Sequence, residues 1–575
     1  MKKFFIFFIT TIVLAMLAGG GYVGMKLYEK YSEDDARADL YEYLKLTSAE
    51  EGAIMFDGAI LEEKCRVLND VCYLDLNTVQ KYLHNRFYYT EVNQEIRYTD
   101  ARAIVTAPLD GSSYSVLSGD TEFFYEEPYT IALILDGSCY IALDFVEKFV
   151  PVTHAVFREP DRVVIDTMGL CRNMLEVKKD TVVRWRAGVK SEILTDVSAG
   201  DQVLLLDKQG VEDWTKVATK DGYIGYIRNS KLGVESFVTG VNTLDYQEPA
   251  FEPTLMDEKI RLGFHAVYHV NANNNLEDML ETAFNINVIS PTWFSLSDNE
   301  GNFTSIASAE YVEKAHERGI QVWALVEDIT NKNELDLYQI LADSNNRTHL
   351  IEGLMQAVSD YDLDGINIDF ENVRSKEGAH FVQFLRELSI KCRANDIVLS
   401  VDNYPPNSGN AYNDYKEQGI VVDYVILMGY DEHWGGSHDP GSTSSQPFVE
   451  RSIDNLLEMV PADRVINALP FYTRRWMTPE KRTSDDEITD KVVIMKDIDK
   501  EVSSLGMKID FDNATGLKYA SVNKDGVLHE MWIEDYASIE NKLIIMEECD
   551  LAGAAAWRLG YENQEIWELI GSYMH

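Results

Sequence analysis

Asp364-Gly-Ile-Asn-Ile-Asp-Phe-Glu371 alternates polar and apolar residues with a period of two, the pattern of a β-strand. Successive strand side chains point to opposite faces, so Asn367, Asp369 and Glu371 share one face. Ile366, Ile368 and Phe370 share the other. In a barrel of parallel strands, only one phase buries the isoleucines and the phenylalanine under a ring of helices. That phase turns the polar trio into the lumen. Barrel lumens are filled mostly by Val, Ile and Leu, so three stacked polar residues there call for a chemical reason.

The flanking sequence supports such a barrel. From Ile260 onward, apolar runs of strand length alternate with helical stretches. The runs are Ile260–Tyr268, Val288–Leu296, Gln321–Val326, Gly365–Phe370, Ile397–Val401, Val422–Met428, Val465–Phe471 and Gly553–Leu559. One intervening segment places Phe381, Phe384, Leu385 and Leu388 on a single helical face. Eight such units predict an α/β fold, a (β/α)8 TIM barrel over residues 258–575, with its chemistry at the C-terminal strand ends. The stretch between the seventh and eighth runs exceeds a simple crossover and holds a hairpin pattern, Gly516–Trp532. It predicts a small α+β insertion before the last strand.

Spacing on the fourth strand bears on mechanism. Asp369 and Glu371 lie two residues apart, with Cα atoms about 6.5–7 Å apart, and approach a substrate from the same side. They are poorly placed to flank a glycosidic bond as acid and opposing nucleophile. Substrate assistance fits better. Glu371 protonates the leaving oxygen while the sugar's own 2-acetamido carbonyl attacks the anomeric carbon, and Asp369 orients and stabilises that acetamido group. A second carboxylate beside Glu371 also raises its pKa.

The octet resembles the D-x-x-D-x-D-x-E motif of glycoside hydrolase family 18, the chitinase-type family. Asp364, Asp369 and Glu371 match it, and Asn367 replaces the middle aspartate. Met428-Gly-Tyr430-Asp431 at the sixth strand and Trp557 in the eighth are similar to further family features. The resemblance implies catalytic roles for Glu371, Asp369 and Tyr430, with Tyr430 bonding the acetamido carbonyl. It implies that Trp557 floors the sugar site and that Met428 and Asp431 contribute to the same pocket. Asp364, Asn367, Asp402, Asn403, Tyr404 and Trp293 are further candidate sugar contacts. Asparagine in the octet, with wall-type modules upstream, is most similar to the spore-cortex-lytic and germination branch. That branch implies a polysaccharide substrate containing N-acetylglucosamine, in peptidoglycan or a chitin-like glycan. No cofactor and no metal are expected, since the spacing of His433 and His438 fits no common metal signature.

Upstream, residues 1–25 read as a transmembrane anchor or signal segment. Lys2 and Lys3 precede an uncharged run from Phe4 to Met25, and Glu33-Asp34-Asp35 follows it. About 20 apolar residues suffice to cross a bilayer, and the charges place the N-terminus inside. The uncleaved anchor is the favoured reading; small residues from Ala15 to Gly21 keep a cleaved signal peptide as its rival. Either way the remainder is exported.

Residues 45–168 carry an internal repeat, Cys72–Leu83 aligning without gaps on Cys139–Val150. Each copy reads as a strand followed by a turn of helix capped at Asn77 or Asp144, with further strands at Glu95–Tyr98 and Arg162–Ile165. The region resembles the small α+β module from the N-terminus of copper amine oxidases, without a copper site. Cys72 and Cys139 are expected to be buried small residues. Residues 175–235 are strand-rich with turn punctuation and resemble a bacterial SH3-type barrel, which implies a cell-wall peptide as partner. Trp214 is expected in its core rather than at a ligand, and Tyr226 is open to either place.

Composition excludes other classes. With 52 basic against 96 acidic residues the net charge is −44, and nucleic acid is not an expected partner. Six scattered cysteines without a CxxC pair make neither a disulfide framework nor a zinc site. The leading expectation is an exported, membrane-anchored glycosidase cutting β-1,4 linkages at N-acetylglucosamine with retention. The alternative is a chitinase-like wall protein that binds amino sugars without cutting them. Such proteins typically lose the acid glutamate, and Glu371 is kept.

Overall fold

Eight parallel strands carry the predicted apolar runs: β1 (Ile260–His265), β2 (Val288–Leu296), β3 (Gln321–Glu327), β4 (Gly365–Asp369), β5 (Val398–Asn403), β6 (Tyr424–Met428), β7 (Val465–Pro470) and β8 (Gly553–Trp557). Each pairs in parallel with its neighbour in sequence, and β1 pairs with both β2 (Leu262↔Val288) and β8 (Ile260↔Gly553), which closes the ring. The result is a (β/α)8 barrel. The computed structural model describes residues 2–481 and 488–575.

Two apolar layers hold the barrel. Leu262, Phe264, Trp323, Leu325, Tyr424 and Ile426 fill the lumen. Ile366, Ile368 and Phe370 belong to the larger layer between strands and helices, with Phe381, Phe384, Leu385 and Leu388 from the helix Gly378–Ala394. Gly553 is required where β8 crosses β1, since a Cβ there would lie 2.2 Å from the Ile260 carbonyl oxygen. Outside the ring, the fully buried Arg347 donates to Glu387 through Nε (2.9 Å) and Nη2 (3.0 Å), and Arg97 reaches the same carboxylate at 2.9 Å.

Between β7 and β8 lies the expected insertion. Its five antiparallel strands are Tyr472–Pro479, Thr489–Ile494, Lys508–Asp512, Leu517–Lys524 and Val527–Ile533. The last two form the hairpin anticipated at Gly516–Trp532.

The chain divides into two compact units. The barrel unit comprises Pro249–His575 with Thr90–Thr106 and Ser115–Phe124; the other comprises the residues up to Tyr89 with Ala107–Tyr114 and Tyr125–Glu248. Residues 90–106 therefore pack with the barrel. Thr90 Oγ1 donates to the Ala342 carbonyl (2.6 Å), and Gln383 Nε2 donates to Thr99 Oγ1 (2.8 Å).

In the other unit, the two repeat copies lie side by side. Val71–Asp75 and Ser138–Ala142 pair antiparallel (Ala142↔Tyr73), each leading into a short helix, Leu76–Tyr82 or Leu143–Val146. The caps fall two residues earlier than anticipated. Asp75 accepts from the Thr78 N–H at 3.1 Å, so Asn77 already lies within its helix, and Ala142 heads the second helix without a side-chain cap. Cys72 and Cys139 are buried free thiols.

A seven-stranded antiparallel sheet spans Cys171–Val177 to Leu232–Thr239. Its core includes Leu175, Val183, Val203, Val217 and Ile227, with the buried aromatics Tyr43 and Tyr223. Trp214 and Tyr226 are only half-buried, and the Arg228 guanidinium lies 5.8 Å from the Trp214 ring. The N-terminal helix Lys2–Tyr31 contains a stretch, Ile9–Lys30, long and apolar enough to cross a membrane.

Candidate active site

Parity on β4 is as the octet demands. Asn367 is fully buried in the lumen and Asp369 nearly so, while Ile368 faces the helices and Phe370 stacks on Phe384 with ring centroids 5.9 Å apart. Glu371 lies two residues beyond the strand's last residue and is half-buried at the C-terminal mouth. It lines a cleft of about 850 Å³ together with Tyr404, Tyr430, Asp431, Trp434 and Lys332.

The loop carrying Glu371 is pinned from its neighbour. Asp328, immediately after β3, accepts the backbone N–H of Glu371 (2.9 Å) and that of Asn372 (3.0 Å), and the Asn372 side chain donates to it as well. Arg374 Nη1 donates to the Glu371 carbonyl at 2.9 Å. Tyr404 donates its hydroxyl to the Glu371 carboxylate. The acid is thus fixed at its backbone and at its head group.

Electrostatics favour a protonated site. Burial raises the Glu371 pKa; the Tyr404 hydrogen bond opposes this, and the Asp431 charge adds to the rise. Asp369 is held well above the usual carboxylate range by burial, then by the charges of Asp402 and Glu371. Asp402, on β5, is raised by burial and by Glu371, although it accepts a 3.0 Å hydrogen bond from Asn367 Nδ2. Burial lifts Asp328 to about 6 against the two backbone N–H groups it accepts. Carboxyls crowded into a low-dielectric lumen oppose one another's ionisation, which is the direction of all four shifts.

Other expected residues divide by position. Met428 is buried at the end of β6, and Tyr430 follows it, its ring edge-on to Tyr472 at 6.4 Å. Asp431 accepts the Tyr472 hydroxyl at 2.6 Å and lies 3.4 Å from Arg474, which is itself paired with Asp490 at 2.6 Å. Trp557 ends β8 and packs on Phe264 with centroids 5.6 Å apart. Asp402 lies inside the lumen bonded to Asn367, which places it behind the cleft wall.

Three candidates lie away from the cleft. Asp364 sits at the opposite end of the barrel, where its Oδ2 accepts the Val322 N–H (2.7 Å) and faces His316 Nε2 (2.8 Å). It ties β4 to β3. Trp293 is 1% exposed, donates to Asn273 Oδ1 at 2.8 Å and meets Tyr311 edge-on, so it belongs to the outer core. Asn403 is buried and donates to Gln418 Oε1 at 2.7 Å. The family motif suggested Asp364, and strand-end positions suggested Trp293 and Asn403; the end of the barrel and side-chain parity place them elsewhere. Among the described residues no group of three metal-ligating side chains converges.

Sequence reasoning passed over Asp328, Tyr472 and Arg474. Glu327-Asp328 closing the apolar run of β3 was a visible signal, being two acids at a C-terminal strand end. Tyr472 and Arg474 come from the insertion, and nothing local announces that they return to Asp431.

Residues 264–562 match the model of the Glycosyl hydrolases family 18. YdhD of Bacillus subtilis (strain 168), a sporulation-specific glycosylase by name, is 26% identical over 277 residues, 46% of this chain and 64% of that protein. The cortical fragment-lytic enzyme of Bacillus anthracis is 25% identical over 237 residues, 40% of this chain and 54% of that protein. The chain therefore spans between about half and two-thirds of these relatives' lengths. Among solved structures, the Bacillus cereus spore cortex-lytic enzyme SleL has the same barrel fold, with a TM-score of 0.50 and 20% identity over 60% of this chain and 78% of that one.

Proposed function

This chain belongs to glycosyl hydrolases family 18, and on that premise we propose that it is a retaining glycosidase cutting β-1,4 linkages at N-acetylglucosamine in peptidoglycan. The observation that carries the reading is Glu371: half-buried at the cleft mouth, pinned through Asp328 and Tyr404, with its pKa raised by burial. A carboxyl so held is suited to deliver a proton to the glycosidic oxygen. Asp369, two residues back on the same face, is suited to orient the 2-acetamido group as that group attacks the anomeric carbon. Tyr430 would donate to the acetamido carbonyl, and Trp557 would support the sugar face. Behind Asp369, Asp402 accepts from Asn367 and its charge raises the Asp369 pKa.

The bacterial wall polymer is preferred over chitin because the relatives carry names of cortex-lytic enzymes. The helix Lys2–Tyr31 would hold the enzyme at the membrane with its barrel outside. The sheet Cys171–Thr239 we read as an SH3-type module for wall peptides, and the repeat-bearing segment as its copper-amine-oxidase-N-like companion. The test is to incubate the chain with purified peptidoglycan and with chitin oligomers and analyse the new reducing ends by mass spectrometry. New N-acetylglucosamine reducing ends from peptidoglycan are expected. Binding without any new end would favour the non-catalytic, amino-sugar-binding alternative.

A further inference from the structure

The cleft around Glu371 lies in a chain with nearly two acids per base, yet two cations line it, Lys332 and Arg374. Neither makes an ion pair among the described residues. The acids that share the cleft are already engaged. Asp431 is held by Tyr472 and Arg474, and Glu432 by the Ser442 hydroxyl (2.7 Å) and by the Ser445 N–H (2.9 Å) and hydroxyl (3.0 Å).

The loop that carries Lys332 is fixed by its surroundings, and Arg374 is held at its guanidinium. Lys332 closes a turn onto the Ile329 carbonyl (3.2 Å), and the turn is fixed by Glu327, which accepts from the Ile329 and Thr330 N–H groups. Asn331 Nδ2 anchors the same loop to the Leu296 carbonyl at 2.8 Å. Arg374 spends one nitrogen on the carbonyls of Glu371 and Val373 (2.9 and 2.8 Å). Its other guanidinium N–H groups remain open to a ligand. A neutral glycan offers such a rim only uncharged acceptors, while a carboxylate brought into an otherwise acidic cleft needs a cationic partner.

We propose that Lys332 and Arg374 form a carboxylate-reading rim that selects an acidic amino-sugar polymer, one whose glycan carries lactyl or stem-peptide carboxylates close to the scissile bond. The inference rests on the glycosidase reading and names its substrate class. In the cleft, Lys332 pairs as a point charge and Arg374 through its fork.

The test uses the full chain and three glycan strands of equal length: peptide-bearing, peptide-trimmed with free lactyl carboxylates, and trimmed with those carboxylates amidated. Relative kcat/KM is measured at low and high salt. Binding to each strand is titrated in parallel, so that failure to cut and failure of the rim are separate results. Wild-type chain is expected to favour an acidic strand over the amidated one several-fold at low salt, with the preference shrinking as salt rises. The acidic strand that carries the preference identifies the lactyl or the peptide carboxylate as the source. Lys332→Met is expected to cut the acidic-to-amidated ratio about threefold, the scale of one exposed ion pair, and Lys332→Arg to keep it. Equal treatment of acidic and amidated strands by the wild type would overturn the proposal. So would a Lys332→Met variant that scales both substrates by one factor, since the lysine would then act only through the charge state of Glu371.

Discussion

Two substitutions probe Glu371, one at the acid itself and one at its hydrogen-bond partner. Glutamine keeps its size but cannot donate an acidic proton, so Glu371→Gln is expected to lose about 10²–10⁴-fold in turnover on a substrate with a poor leaving group, with sugar binding little altered. Near-native turnover would remove the acid assignment. Tyr404 acts in the other direction. Its hydrogen bond favours the ionised carboxylate and lowers the Glu371 pKa. Tyr404→Phe should therefore raise that pKa and move the basic limb of the kcat/KM profile to higher pH. A profile that stays put would mean the hydroxyl does not hold the acid in solution. Much of this was legible in the octet, because strand parity alone places Asn367, Asp369 and Glu371 together. The clamp from Asp328 was not, since it joins residues 43 apart through the parallel pairing of β3 with β4.

At the scale of elements, the helices Ser344–Tyr361 and Gly378–Ala394 are joined by a buried ion pair. Arg347 and Glu387 are 0% and 2% exposed at their side chains. Burial pushes the Glu387 pKa up, but Arg347 and Arg97 overcome it and hold the carboxyl at about 2. Removing the arginine by Arg347→Met leaves the buried Glu387 with Arg97 as its remaining cation and should cost about 3 kcal/mol, the low end for breaking a buried pair, read as a lowered denaturation midpoint of the barrel transition. The sign with pH follows from the depressed value. The pair's stabilisation is present above the ordinary glutamate pKa near 4.3 and is lost as pH falls toward about 2. The wild-type midpoint should fall over that window, and Arg347→Met should flatten the fall. The helical period at Phe381 to Leu388 announced the apolar face of one of these helices. It carried no trace of the ionic contact on another face, because pairing partners 40 residues apart leave no mark on local periodicity.

For the whole molecule, the apolar N-terminal helix and the barrel imply a topology that can be tested directly. With the helix as an anchor, the full chain should fractionate with membranes, and protease added to intact protoplasts should remove the barrel. Chain beginning near residue 22 in the medium would instead mark a cleaved signal. The grouping of Thr90–Thr106 with the barrel unit belongs to this scale as well. The strand Glu95–Thr99 was foreseen as a strand, but its packing place was not, since a short amphipathic segment is equally satisfied by any apolar surface of matching shape.

Periodicity and parity determined the barrel and the inward polar face of β4. A strand buried on both sides must be apolar where it meets the helices, and a polar interruption stands out on the lumen side. Such patterns are properties of neighbouring residues, so the sequence displays them without a fold. Tertiary structure alone decided that Asp364 ties the far end of the barrel, that Trp293 turns into the outer core, and that Asp402 reaches Asn367 across the lumen. Only the fold brought Tyr472 and Arg474 from the insertion back to Asp431. The physical reason is common to all of these. Hydrogen bonds and ion pairs act over about 3 Å of space, and distance along the chain does not encode distance in space once the eight strands have closed into a ring.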